Sequence, residues 1–299
     1  MGNLELLFQA PILILQLTID GILVGAILAL AAYGMALVWG VLRIINIAQG
    51  EFVMLGGYVT LYVVRMGVPP FLGIPIAAVA LYAVGWVLYR LVIWRVVDRD
   101  LFTSLLATFG ISILIQQLTN QIFSADVQTV TSGLGTFILL GGSITVSQIK
   151  LVAFVAAAIA ALCLMLFLKR SRMGQAIRAT AQNARAARIL GIDTDGVYAT
   201  TFALNAALCG AAGALVAMTW IIQPYLGLSY TLRSFMIVVV AGLGNVAAVI
   251  ASALGLGVAE NFAGFILGAE YQAAFVFALL VVILLFRNFL LARQRKYLK

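Results

Sequence analysis

Apolar runs separated by short polar breaks repeat along almost the whole chain. They cover residues 21–42, 52–64, 71–94, 101–123, 149–168, 198–222, 231–267 and 271–291. A helix that crosses a bilayer needs about 20 apolar residues, at about 1.5 Å each, to match a hydrocarbon core of about 30 Å. Most of the runs meet that length. The run 52–64 is short and ends at Arg65 and the pair Pro69-Pro70. The run 231–267 is too long for one helix, since it would exceed about 50 Å, so it divides near 242–245, at G-L-G-N. Residues 1–18 are apolar but cut short before Asp20; they lie at the interface or extend the first span. The pattern predicts an all-α fold: a polytopic integral membrane bundle of about nine spans, forming a single transmembrane domain over 1–299. Two longer breaks stand out. Residues 124–148 are rich in Ser, Thr and Gly with few charges, and residues 169–197 are basic.

Composition agrees with this class. The chain is 64% hydrophobic and 9% charged, whereas soluble domains carry about 25% charged residues. The net charge is +8, and in a membrane protein its placement carries the information. With 169–197 in the cytoplasm and the spans alternating, Arg43, Arg90, Arg95, Arg99, the six basic residues of that loop and the C-terminal cluster all fall inside. Only Arg65, Lys150 and Arg233 fall outside. This places the N-terminus outside and the C-terminus inside. No basic arm with interleaved aromatics is present, so the expected surroundings are lipid and protein and not nucleic acid. The N-terminus lacks the basic region and cleavage site of a signal peptide, so the first apolar run is expected to stay as a helix. Cys163 and Cys209 sit in apolar runs and read as buried thiols.

The chain contains no histidine. That removes H-E-x-x-H zinc sites, Ser-His-Asp triads and histidine proton relays, and no metal or cofactor is expected. No G-x-x-x-x-G-K-[ST] motif occurs, so energy from ATP must enter through another subunit. The informative residues are polar groups at membrane depth. Asn46, Gln49 and Glu51 cluster in I-I-N-I-A-Q-G-E-F, and Asn245 follows Gly242 and Gly244. Irregular backbone inside a bilayer is tolerated only against protein or a water-filled cavity. Two such breaks, one in each half, match a transporter with discontinuous helices and an internal pseudo-repeat; they also match two surface turns with Asn caps. Gln116, with Gln117 and Asn120, either lines a path or bonds between helices. Glu260, beside Asn261, is a path residue or a paired structural acid. Gly21-x-x-x-Gly25 and Gly264-x-x-x-Gly268 suit close helix packing.

Within the basic loop, 175–190 is rich in Ala, Arg and Gln, which are good helix formers, and Gly191 suits a helix C-terminus. A lone helix of that length is marginal in water, so something must pack on it. Its small alanines suit a protein groove better than the broad apolar face of an interfacial anchor.

Three stretches resemble bacterial branched-chain amino acid ABC transporter permeases of the LivH type. Residues 21–58 are similar to the opening of those permeases. G-Q-A-I-R-A-T-A-Q-N-A-R-A-A-R-I-L-G-I, 174–192, is similar to their cytoplasmic loop, and G-L-G-N-V-A, 242–247, to their late glycine motif. The resemblance implies a non-enzymatic permease subunit in the inner membrane. It works with separate ATPase subunits, a second permease subunit (a paralogue or a copy) and a periplasmic solute-binding protein. In the loop that resembles the family's, Gly174, Arg178, Arg185, Ala186, Ala187, Arg188 and Gly191 are the candidates for ATPase coupling, and the polar groups at membrane depth, Asn46, Gln49, Glu51, Gln116, Asn245 and Glu260, are the candidates for the substrate path or gate. Two positions depart from the pattern: Arg185 stands where the family's loop often carries an acid, and Gln49 where it often carries His. Urea and short-chain amide permeases share these motifs, and a passive channel is the rival from another class.

Overall fold

A computed structural model describes residues 6–7, 9–139, 144–242 and 246–296. Its helices, in order, are α1 (Pro11–Leu42), α2 (Gln49–Arg65), α3 (Gly73–Leu91), α4 (Leu101–Phe123), α5 (Gln148–Arg170), α6 (Arg172–Gln182), α7 (Ala184–Ile189), α8 (Thr194–Thr219), α9 (Gly227–Ala241), α10 (Val246–Leu267) and α11 (Gln272–Lys296). Among the described residues, 8 helical segments are long and apolar enough to cross a membrane. The ninth expected span, 52–64, is α2. It has 17 residues, or about 26 Å of helix, and falls short of a full crossing.

The two most buried helices, α1 and α8, lie against each other in the middle. The other elements surround this pair in two matching sets. Helix α3 packs along α8 as α10 packs along α1, and short α2 and short α9 each lie against both central helices or their neighbours. The order in each half is the same: long helix, irregular return, short helix, long helix. Close approach is built into the sequence: a Cβ at Gly21 or Gly25 would run into the backbone of α10 at Val258 or Ala253, as the first small-x-x-x-small motif predicts. Helices α4, α5 and α11 present exposed residues such as Leu106, Ile159 and Val282 outward, as lipid-facing helices must.

The ends of the bundle sort cleanly. At one end Lys150 pairs with Asp20 at 3.1 Å, Arg65 donates to Gln128 at 2.8 Å, and Gln128 bridges to Ile222. At the other, Arg90 and Tyr89 both bond Asp195, at 2.6 and 2.7 Å, beside the basic loop.

Three expectations change in detail. The stretch 124–148 is not wholly irregular, because β1 (Thr136–Leu139) and β2 (Ile144–Ser147) pair antiparallel with Thr136 opposite Ser147. The loop helix expected over 175–190 is two helices broken at Asn183. That residue is extended, and its side chain accepts from Ala186 N–H to cap α7, which is the role asparagine favours over continuing a helix. Cys163 is exposed on the outer face of α5, and only Cys209 is buried.

Candidate functional site

The site forms where the chain enters the bilayer interior without a helix. Helix α1 ends at Arg43, which adopts a left-handed conformation (φ 56°) and reverses the chain. Residues 43–48 then run back along α1. The depth they reach is fixed by Gln49, whose Nε2 donates to the carbonyl of Ala31 at 2.8 Å. Ala31 lies about three helical turns above the end of α1, so α2 starts inside the bundle. The second half does the same from the opposite side. After α8, Ile222 is still tied to Gln128 at the end that carries Arg65 and Lys150. A short turn at Pro224–Leu226 follows, and α9 begins at Gly227.

The two short helices meet N-terminus to N-terminus. A Cβ on Gly50 would collide with the carbonyl of Gly227, and a Cβ on Gly227 would fall into the carboxyl group of Glu51. Only glycine permits that approach. Thr231 of α9 accepts from the N–H of Gly50 at 2.8 Å and donates to the carbonyl of Ile47 at 2.9 Å. One hydroxyl therefore satisfies a helix-start N–H that has no partner in its own helix, and a carbonyl of the break.

Helix α4 holds the same region from the side. Thr108 accepts from Ile47 N–H at 3.2 Å and donates to the carbonyl of Ile45 at 3.0 Å. Ser112 and Gln116 donate to Glu51 Oε1 at 3.1 and 2.7 Å. Glu51 is 1% exposed, lies in the first turn of α2 and touches the start of α9. Two helix N-termini, each carrying partial positive charge, thus converge on one buried carboxyl group.

Deeper along α8, Gln49 Nε2 also meets Cys209 Sγ at 3.0 Å, and Cys209 lies beside Asn205. Asn46, Gln49 and Glu51 are all buried among protein groups. Gln116 joins them. Glu260 does not: it pairs with Arg233 Nε at 2.7 Å, and Arg233 sits two positions, roughly 200° of helical turn, away from Thr231. Its pairing is a clamp between α9 and α10. Asn245 lies outside the described residues; the break that meets the first one is 220–226.

Below the helix junction a cavity of about 1300 Å³ opens towards the basic loop. It runs from Tyr33 to Arg178 past Arg43, Asp98, Arg99 and Asp100, so its mouth carries both signs of charge. The hydroxyl and backbone N–H of Thr103 hold the Asp100 carboxyl below its usual range, and so anionic. On the opposite side of the junction Tyr58 stacks on Phe123 at 4.6 Å, and Gln128 ties to Arg65 and Ile222.

A sequence model of the family described as branched-chain amino acid transport system / permease component matches residues 17–284. The chain belongs to this family. It is 32% identical to the high-affinity branched-chain amino acid transport system permease protein LivH of Salmonella typhimurium (strain LT2), over 91% of this chain and 92% of that protein. It is 30% identical to BraD of Pseudomonas aeruginosa, a protein of the same description, over 91% of this chain and 94% of that one. A probable branched-chain amino acid permease of Methanocaldococcus jannaschii is 26% identical over 85% of this chain. No solved structure matches the chain.

In this permease the basic loop is packed, not dangling. Gly174 is buried against Leu168, Arg178 bonds the carbonyl of Leu168, and Arg188 donates to Thr194 at 3.0 Å. Gly191 takes the positive φ of 85° expected at a helix end. Ala187 faces inward at 3% exposure, whereas Ile189 and Leu190 are 79% and 81% exposed; Arg185 and Ala186 are exposed beside them. The sequence reading did not single out Thr108, Ser112, Asn205 or Thr231. The available signal was Thr108, Ser112 and Gln116 at i, i+4 and i+8, a polar stripe on an otherwise apolar helix.

Proposed function

We propose that this chain is the membrane-spanning permease subunit of an ABC importer that carries branched-chain or related small amino acids into the cell. A periplasmic binding protein delivers the substrate, a second permease subunit completes the membrane pore, and separate ATPase subunits hydrolyse ATP. The chain lies in the cytoplasmic (inner) membrane with its N-terminus outside and its C-terminus inside. The observation that carries this reading is the crossing of two short helices at mid-membrane around buried Glu51, with a cavity open on one side and an aromatic stack on the other. That is the form of a gated path with one end open. The named relatives support the amino-acid class of the cargo.

The mechanism follows from these positions. Cargo enters from the side closed by Tyr58 and Phe123, passes the junction of α2 and α9, and leaves by the vestibule. No covalent step is needed. Binding of the partners shifts the population between two arrangements of the gate. The loop transmits that shift: Ile189 and Leu190 offer an apolar contact to the ATPase, framed by Arg185, while Arg178, Arg188 and Ala187 hold the loop to the bundle.

The test is uptake into proteoliposomes of the chain co-assembled with its ATPase, partner permease and binding protein. Leucine accumulation that needs ATP and the binding protein supports the reading. ATP-independent leakage makes the chain a channel, and ATP-driven uptake of urea but not leucine makes it an amide permease.

A further inference from the structure

Helix α4 carries two outward surfaces of different chemistry. Its inward face, with Ser104, Thr108, Ser112, Ile115 and Thr119, is buried. On the far side one flank, with Leu106, Phe109 and Ile113, is exposed and apolar, which suits lipid. Beside it runs a seam of Thr103, Ala107, Gly110, Leu114, Gln117 and Gln121, spaced by alternating steps of four and three. That spacing keeps one face of a helix in line along its length. Gly110, Leu114, Gln117 and Gln121 are exposed, and a Cβ on Gly110 would meet nothing within 4 Å.

The depth of the seam makes its polarity costly. Helix α4 has 23 residues, about 34 Å of helix, against a hydrocarbon core of about 30 Å. Gly110 is near the middle of α4. Gln117 lies six residues before Phe123, or about 9 Å inside that end of the helix. Gln116 donates to Glu51, whereas Gln117 and Gln121 make no side-chain hydrogen bond to a described residue. An amide left facing lipid tails has nothing to bond, which is costly. The outward face of α5, by contrast, presents Leu151, Val155, Ile159 and Leu162.

We propose that the α4 seam is where the second permease subunit of the importer docks, laying its own fourth helix parallel to α4 across a two-fold axis along the membrane normal. Depth and chemistry name the occupant. Lipid tails cannot bond an amide, and a binding protein and an ATPase reach only the aqueous faces, so the partner is itself a membrane helix. Both permease subunits stand the same way up, so corresponding residues meet at one depth. An amide both donates and accepts, so Gln117 is complementary to an amide at its own level. Gly110 lets the two backbones approach at mid-membrane. This assignment rests on the importer reading above and adds the surface on which the importer assembles. It also ties assembly to the gate. The inward face of the same helix holds Glu51 through Ser112 and Gln116, and the first break through Thr108.

The experiment uses the assembled importer in its membrane, with the photoreactive change Leu114→benzoylphenylalanine and, as a control on α5, Ile159→benzoylphenylalanine. On illumination position 114 joins a helix of the second permease subunit, mapped by mass spectrometry, and position 159 joins lipid. Two substitutions give an independent reading. Gly110→Leu fills open space, so the isolated subunit in detergent melts no lower than wild type. Recovery of the second permease subunit by co-purification nevertheless falls about tenfold, the scale of overpacking a close contact. Gln117→Leu lowers that recovery about threefold, the scale of one hydrogen bond between membrane helices; on a lipid-facing surface the same change leaves recovery unaltered. The seam is not the interface if position 114 joins lipid alone, or if both substitutions leave recovery at the wild-type level; ATP-driven uptake by the wild type then leaves the importer reading standing. A chain that joins a second copy of itself through position 114, but whose wild type shows no ATP-driven uptake, keeps the interface and removes the importer reading.

Discussion

Replacing Glu51 by glutamine tests the central junction with little change in shape. The wild-type carboxyl group accepts from Ser112 and Gln116 on α4 and lies against the starts of α2 and α9. Each helix N-terminus stabilises a nearby negative charge by about 0.3–1 kcal/mol at a surface, and by up to about 2 kcal/mol in partly buried geometry. Two of them supply about 1–4 kcal/mol that the neutral amide forfeits. Glutamine keeps an acceptor for Ser112 or Gln116, so most of the hydrogen bonding survives. Leucine keeps neither: Glu51→Leu leaves the buried Ser112 hydroxyl and the partly buried Gln116 amide without their acceptor, at about 1–3 kcal/mol for the buried donor, on top of the lost charge. The expected order of thermal stability for the purified subunit in detergent is wild type, then Glu51→Gln, then Glu51→Leu, with uptake falling in the same order. A Glu51→Gln subunit that melts at or above the wild-type temperature refutes the claim that the helix ends stabilise a charge there. The junction would then be held by packing and neutral hydrogen bonds.

In the clamp between α9 and α10 Glu260 is buried and Arg233 is partly buried, so Glu260→Gln or Arg233→Leu alone costs up to about 3–5 kcal/mol, while a joint Arg233→Met, Glu260→Met change recovers most of it; melting curves of the three variants show whether it does. In the Cys163→Ala background, an impermeant maleimide added outside labels a thiol at Thr131→Cys and not one at Asn183→Cys, and the reverse pattern inverts the assigned orientation. Leu190→Asp with Ile189→Asp weakens recovery of the ATPase in co-purification by about tenfold or more, on the scale of losing one to two buried aliphatic contacts; unchanged recovery with unchanged uptake removes the docking surface.

Much of the fold was legible because lipid imposes a length. The spans 101–123 and 149–168 coincide with α4 and α5 almost to the residue, since a run of about 20 apolar residues has few other uses. Legibility ended where the chain turns back inside the bundle. Asn46, Gln49 and Glu51 were visible as polar groups at the wrong depth, but whether they faced water or protein depends on Arg43 reversing the chain, and nothing in a basic residue announces a left-handed turn. The matching return at 220–226 carries Pro224 and leads into Gly227, residues that suit an ordinary turn equally well. The loop showed the same limit. Alanine at 187 reads as a site for a partner to approach, yet it packs on its own chain, and the outward groups are the bulky Ile189 and Leu190.

The two halves are alike in order and packing but unlike in their ties, and that difference says which state this is. Helix α2 runs from the junction towards the end of Tyr58 and Phe123, and α4 holds its first turn through Ser112 and Gln116 and the preceding break through Thr108. Helix α9 runs from the same junction towards the open end, flanked by α10 and α11, and its ion pair, Arg233 to Glu260, is made at its middle. Past Arg233, α9 lines a cavity of about 180 Å³ through Phe235 and Val238, and among the described residues no ion pair is made on that part of the helix. In an inverted pair the closed end of one half is the geometric counterpart of the open end of the other. If the halves exchange conformations, α9 closes on the vestibule while α2 separates from α4, and the bonds to Glu51 must break for that to happen. Gly50 and Gly227, in contact across the junction, are the expected pivot of that exchange. Glu51 is therefore placed to set the free-energy difference between the two states.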